Sequence, residues 1–243
     1  MIDTSHYPGS ELHLFRDAHN WKAYLSRQLK PFISGRVLEV GAGLGATTRK
    51  LHDRQAESWT CLEPDETMAE ALPELTRDLL DRHGNSPEIV AGALRDVASA
   101  RTFDTILYID VLEHIEEDAT ELELACKRLA PGGRVVVLSP AMQWLFSPFD
   151  ASIGHYRRYT KATLSALAPA GTVVRCERYL DLIGVLASGA NRLLLRSSMP
   201  TRSQISLWDR WMVPLSEMVD PWLGYRLGKS VLCVFQVPEP RVS

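Results

Sequence analysis

Residues 36–45, RVLEVGAGLG, limit the fold most tightly. An apolar run suited to a buried strand breaks off into glycines at positions 41, 43 and 45, and a helical pattern follows from about Thr47. Glycine lets a backbone turn sharply and approach a ligand closely. The free N–H groups and dipole of the helix behind it favour a negative ligand. In open α/β sheets such ligands bind beyond the carboxyl ends of the strands. The spacing is G-x-G-x-G, not the G-x-G-x-x-G of dinucleotide binders. Taken alone it is weak, because glycines also simply make turns. Glu39, inside the strand, is costly there unless paired. It is expected to orient a backbone or cofactor amine from below.

The rest of the chain repeats the strand–helix theme. Segments 59–63, 88–92, 103–109, 134–139, 172–179 and 230–237 read as strands, several nearly continuous in Val, Ile and Leu, as strands covered on both faces are. Residues 110–129 have a helical pattern with Leu122, Cys126 and Leu129 on one face, and APGG (130–133) stops it. Such alternation predicts a doubly wound parallel sheet. Two segments exceed that plan. Residues 11–31, with Phe15, Trp21 and Tyr24, form a helical pattern before the first strand. Residues 180–228 hold about two more helices, with Trp208, Trp211, Met212 and Trp222, and are expected to cap the sheet edge or the active site.

Composition narrows the function classes. The 243 residues are 45% hydrophobic and 23% charged, with a formal net charge of −3, so the basic excess of a nucleic-acid binder is missing. The four cysteines form no CxxC pair and read as small buried hydrophobes. They fit a reducing compartment, and the first residues lack a basic start followed by an apolar core; a cytoplasmic location is the expectation. The most apolar late stretch, 179–195, contains Asp181, Asn191 and Arg192 and is too short and polar to span a bilayer. Glu63 ends the second strand, placed to accept hydrogen bonds from ribose hydroxyls.

Four motifs together carry a family resemblance: VLEVGAGLGATT (37–48), LEPDE (62–66), FDTILYIDVLEHIEED (103–118) and LAPGGRVVVLSP (129–140). In this order they resemble the class I S-adenosylmethionine-dependent methyltransferases, over about residues 36–140. The resemblance implies a Rossmann-like α/β fold, with a doubly wound seven-stranded sheet whose last strand is antiparallel. The N-terminal helix and the cap at 180–228 complete one domain over 1–243. It implies S-adenosyl-L-methionine as cofactor and S-adenosyl-L-homocysteine as product. The loop of Gly41, Ala42, Gly43 and Gly45 would lie under the methionine part and Glu63 would bind the ribose. Leu62 and Pro64 would flank the adenine, and Gly92, Ala93 and Leu94 would line its edge through backbone groups. Asp110 would sit beside the methionine moiety. Many relatives carry an acid where this chain has Ala93; either backbone atoms replace it or Asp96 reaches in.

Methyl transfer to a hydroxyl or amine needs a place for the proton, which histidine suits. His114, one helical turn after Asp110, and His155 are the candidates. IDVLEH lacks the Asn/Asp-Pro-Pro-Tyr motif of enzymes that methylate DNA bases or glutamine amides, and DVLEH resembles small-molecule and lipid-quinone methylating relatives. The acids of EHIEED are consecutive and point around a helix, so no metal site is expected. After the fifth strand, SPAMQWLFSPFDASIGHYRRYT (139–160) sits where this fold places acceptor-binding residues. It resembles a segment recurring among bacterial methyltransferases of glycan, lipid and secondary-metabolite pathways. Trp144, Phe146, Tyr156, Arg157, Arg158 and Tyr159 are its candidate substrate residues, too tightly spaced for all to serve. An Arg pair can grip a carboxylate or phosphate. The expected acceptor is a small molecule with a polar or anionic handle and an apolar body, methylated on oxygen. For the cap, packing as core or lid is weighed above membrane contact or dimerisation. A dehydrogenase, a non-catalytic binding module and an enzyme for lipid- or glycan-linked substrates are the rival readings.

Overall fold

A computed structural model describes residues 17–190 and 201–239. The first helix among the described residues, α1 (His19–Leu29), ends in a 3-10 turn, Lys30–Phe32. Then follow β1 (Arg36–Val40), α2 (Thr48–Leu51), β2 (Ser58–Glu63), α3 (Glu66–Thr76), β3 (Glu88–Ala91), β4 (Phe103–Ile109), α4 (Asp118–Lys127) and β5 (Leu129–Pro140). The second half holds α5 (Pro148–Ser152), α6 (Lys161–Ser165), β6 (Val173–Leu180), α7 (Leu182–Ala190), α8 (Arg202–Leu207), a π turn (Trp208–Met212), α9 (Val213–Trp222) and β7 (Ser230–Gln236). The seven strands form one sheet in the order β3-β2-β1-β4-β5-β7-β6. β7 runs antiparallel to both its neighbours and the other pairings are parallel.

Both faces of the sheet are covered, which explains the unbroken apolar runs. Alternate residues of β1 divide between two cores. Leu38 and Val40 pack with Ile106, Tyr108, Val135 and Val137 under α4 and α6. Val37 packs with Trp59, Cys61, Leu107 and Val136 under α1 and α3. The sheet order reverses between β1 and β4, so the loops after these strands diverge and open a crevice. The functional residues collect there.

The sequence expectations shift in two places. The pattern over 110–129 is not one helix. Asp110 takes a left-handed conformation (φ 54°), residues 112–114 make a 3-10 turn, and α4 starts only at Asp118. APGG lies inside β5: Phe103 pairs with Leu129 and Thr105 with Arg134, so β5 advances five residues while β4 advances two. The excess loops out as a bulge. Among the described residues the cap holds α7 and one continuous helical run through α8, the π turn and α9, the two helical stretches expected. Phe15 and the rest of 11–16, and Asn191 and Arg192, lie outside the described residues. Among the described residues no helix is long and apolar enough to cross a membrane.

Candidate active site

At the end of β1 the chain turns through Gly41, Gly43 and Gly45, all left-handed with φ of 68°, 55° and 71°. A Cβ on Gly41 would lie 2.6 Å from Val111 Cγ2, in the loop after β4. Only glycine lets these two loops touch at the crevice. The N–H groups of Gly41 and Ala42 donate to the Leu62 carbonyl, at 2.8 and 3.2 Å. That of Gly43 donates to Glu63 Oε2 at 2.7 Å. Glu63 Oε1 accepts from Asp65 N–H at 3.0 Å, and Gly92 N–H donates to the Glu63 carbonyl at 2.9 Å. Glu63 thus gathers the loops after β1, β2 and β3. Burial raises its pKa against these hydrogen bonds, and each carboxylate oxygen keeps acceptor capacity for a diol. Pro64 is exposed beside it, whereas Leu62 is fully buried in the core and supports the site from below. Ala93 N–H donates to Asp96 Oδ2 at 2.8 Å, so Asp96 caps its own turn, and the Leu94 side chain is buried.

Glu39 is held from within the protein. Its Oε2 accepts from the Trp59 indole N–H at 3.0 Å. Burial pushes its pKa up to about 7, against hydrogen bonds from Thr48 and Trp59.

Asp110 joins the two halves of the site. Its N–H donates to the Leu138 carbonyl at 2.8 Å. The side chain is open to solvent yet deep-set among protein groups. Desolvation lifts its pKa to about 6, moderated by the neighbouring His155, Lys229 and Arg158. Lys229, in the turn before β7, stands 5.2 Å from the Trp208 ring centroid. Desolvation lowers its pKa, opposed by Asp181, Asp150 and Asp110.

The GHYRRYT segment divides by function. His155 Nδ1 lies 3.2 Å from Asp150 Oδ1. The same carboxylate oxygen accepts from Arg158 Nε at 3.0 Å, and Asp150 Oδ2 accepts from Ser147 N–H and Oγ at 2.8 and 2.7 Å. Burial alone would raise the Asp150 pKa; bonds with His155 and Ser147 and the Arg158 charge hold it well below the carboxylate range. The His114 and His155 rings meet edge to face at 4.4 Å. Burial and its histidine neighbour push the His114 pKa down to about 4, so it is neutral near pH 7. Tyr156 is half-exposed and Trp144 more so; the Trp144 ring lies over Gly189 of α7, where an added Cβ would meet it at 3.4 Å, an ordinary contact. Phe146 is partly buried close by.

The two arginines do not form a free anion clamp. Arg157 Nη1 pairs with Asp118 Oδ2 at 2.7 Å and its Nη2 donates to the Glu116 carbonyl at 2.8 Å. Arg158 is committed to Asp150 and to the Ala141 carbonyl. Tyr159 is a core strut whose hydroxyl donates to Asp118 Oδ2 at 2.7 Å.

Glu116 and Glu117 do point outward, but Glu113 turns in. It is wholly buried, neither carboxyl oxygen has a hydrogen-bond partner, and burial raises its pKa strongly. Its ligand atom and those of His114 and His155 lie within 4.8 Å of one another, close enough to share a divalent cation. This convergence runs against the expectation of diverging acids; it arises because 112–114 is a tight turn and not a long helix. A separate polar depression, between Ser34–Arg36 and the 131–134 bulge, lies at the amino ends of β1 and β4, opposite the crevice.

Lys229 and Glu113 escaped the sequence reading. Lys229 belongs to an unremarkable LGKS before the last strand, and its proximity to Asp110 exists only once β7 inserts beside β5.

The comparisons with known proteins agree with this geometry. Residues 38–135 match the family model described as a methyltransferase domain. The chain is 31% identical over 135 residues to the human mitochondrial ubiquinone biosynthesis O-methyltransferase, an overlap of 51% of this chain and 36% of that protein. It thus spans about a third of that relative's length. Among solved structures, it superposes on a chain of the complex between the Haloferax volcanii Trm112 methyltransferase activator and a methyltransferase. The TM-score is 0.63 at 18% identity, over 96% of this chain and 95% of that one. The plantazolicin methyltransferase BpumL, solved with S-adenosylhomocysteine, gives a TM-score of 0.52 at 11% identity, over 93% and 84%. The matched residues 38–135 run from β1 into β5, so the methyltransferase-domain match covers the strands and loops that build the crevice, and the fold is shared with solved methyltransferases.

Proposed function

We propose that the chain methylates a hydroxyl of a small molecule with an anionic handle and an apolar body. It would work as one unit over 1–243, with the cap as the acceptor wall. The Asp150–His155 pair beside Asp110 carries this reading. The cofactor, when bound, supplies a methyl group on a sulfonium centre and leaves as S-adenosylhomocysteine.

The glycine loop would lie under its methionine part and Glu63 would take its ribose hydroxyls, while Pro64 and the Gly92–Leu94 backbone flank the base. Asp150 accepts from Nδ1 of His155 and fixes the tautomer, leaving Nε2 to receive the acceptor's proton. His114, neutral near pH 7, is too weak a base for this and instead packs against His155. The Glu113 carboxyl, pushed toward its neutral form, does not compete for that proton. Lys229, in place of the committed arginines, meets the anionic handle. Trp144, Phe146 and Tyr156 line the apolar side. The four free thiols suit a reducing, cytoplasmic setting.

Two measurements test this. Calorimetry should show S-adenosylhomocysteine binding that Glu63→Ala weakens sharply. Radiolabelled methyl transfer to a panel of alcohols, phenols and carboxylic acids should fall about 10²- to 10⁴-fold in His155→Gln for hydroxyl acceptors. Turnover confined to carboxylic acids and indifferent to His155 would remove the proposed base.

A further inference from the structure

The helical run from Arg202 to Trp222 passes without a break through α8, the π turn and α9. At about 1.5 Å per residue it is a rod of roughly 30 Å. Its buried positions are Ile205, Asp209, Val213, Ser216 and Asp220, at intervals of four, four, three and four. They hold the rod to the body. Asp209 accepts from Trp21 N–H at 2.8 Å and Asp220 from Tyr24 Oη at 2.7 Å.

A second stripe repeats the same intervals two residues further on: Leu207, Trp211, Leu215, Met218 and Trp222. Two residues are about 200° around a helix, so this stripe looks away from the protein. All five side chains are exposed, Trp211 by 65% and Trp222 by 88%. A rod that needed only to cover the core would be polar there. A contiguous outward apolar face marks a docking surface.

The charges around the stripe identify the occupant. Over 201–228 the exposed charged side chains are Arg202, Arg210 and Arg226. The segment's acids are all partnered: Asp209 and Asp220 are buried, and Glu217 is neutralised at the surface by Arg27. An apolar face carrying tryptophans, with a cationic rim and no free acid, matches an anionic lipid surface. A second copy of the same face would set cationic rim against cationic rim. We propose that the outward face of 202–222 lies in the plane of an anionic membrane surface. The inference stands apart from the identity of the acceptor. If the proposed amphiphile is the acceptor, the same face sets the cleft beside the layer in which such molecules reside.

The test is co-sedimentation of the full chain with phosphatidylcholine–phosphatidylglycerol vesicles and with phosphatidylcholine alone. Binding should favour the anionic vesicles, weaken with salt, and fall about tenfold or more in Trp211→Ser/Trp222→Ser. Both residues are exposed, so the variant should keep its thermal melt and its S-adenosylhomocysteine affinity. Absence of binding to anionic vesicles, or binding that the double variant leaves unchanged, would overturn the proposal. So would a wild-type dimer in light scattering that the variant dissociates, since the stripe would then be a contact between copies. None of these readouts depends on methyl transfer, so the proposed reaction can fail without touching this result.

Discussion

The loop after β1 and the loop after β5 both end a strand at the cleft, but by opposite means. The first is held by backbone: three left-handed glycines, main-chain bonds to Leu62 and a single carboxylate, Glu63. The second is held by charge: Asp150 satisfies His155, Arg158 and Ser147 at once, and Asp118 satisfies Arg157 and Tyr159. A backbone cradle accepts any ligand of the right outline and polarity, so it suits a cofactor shared across a family. A charge network sets particular atoms at particular distances, which suits a proton acceptor and a selected acceptor molecule.

The sharpest way to break the backbone half is Gly41→Val. It forces a side chain into a left-handed position and against Val111. Loss of S-adenosylhomocysteine binding beyond detection by calorimetry is expected, with about 2–4 kcal/mol of stability lost in urea titration.

The charge half is broken by Asp150→Asn, which strands Arg158 beside a neutral amide. About 3–5 kcal/mol should be lost at pH 7. Because folding lowers the Asp150 pKa, its contribution is complete above the ordinary carboxylate pKa and disappears as pH falls through the lower folded value. The destabilisation by Asp150→Asn should therefore shrink in acid. A constant difference across pH would show that the network is packing and not charge.

Glu39 belongs to the backbone half and carries the opposite sign. Its pKa rises on folding, to about 7, so the folded state holds the extra proton and stability falls as pH climbs from about 4.5 to 7. Glu39→Gln keeps an acceptor for the Trp59 indole. It should raise stability of the cofactor-free protein at pH 8 by up to about 3 kcal/mol and change nothing at pH 4. Its effect on cofactor affinity then separates structural support from direct contact with the amine.

The smallest effect is expected for Arg157→Ala, whose partly exposed pair with Asp118 braces a turn. A loss below about 1 kcal/mol, and turnover within about threefold, would place this arginine outside the acceptor site.

The backbone half was legible in the sequence because its constraint is local. Glycine spacing, a strand-ending acid and apolar periodicity are each written within a few residues. β1 and β4 ran as read from them. The long helix over 110–129 failed because its pattern is helical throughout, while Asp110 and Glu113 are drawn into the crevice by groups far away in sequence. The charge half was legible as a cluster and not as a circuit. His155 stood out, but nothing in GHYRRYT says that Arg157 turns toward α4 or that Tyr159 enters the core. Lys229 could be found only through the register of an antiparallel strand.

Asp220 has a consequence for molecular traffic. It accepts from Tyr24 Oη of α1 at 2.7 Å, and from the N–H groups of Asp181 and Leu182, where α7 begins, at 2.7 and 3.1 Å. Asp181, itself left-handed and buried, takes the Trp208 indole and the Ser216 hydroxyl. Swinging the cap away would strand two acids and their donors, at about 1–3 kcal/mol for each group left unpaired. The joint therefore behaves as a rivet and not as a hinge. Whatever enters or leaves the cleft must do so with the cap still in place.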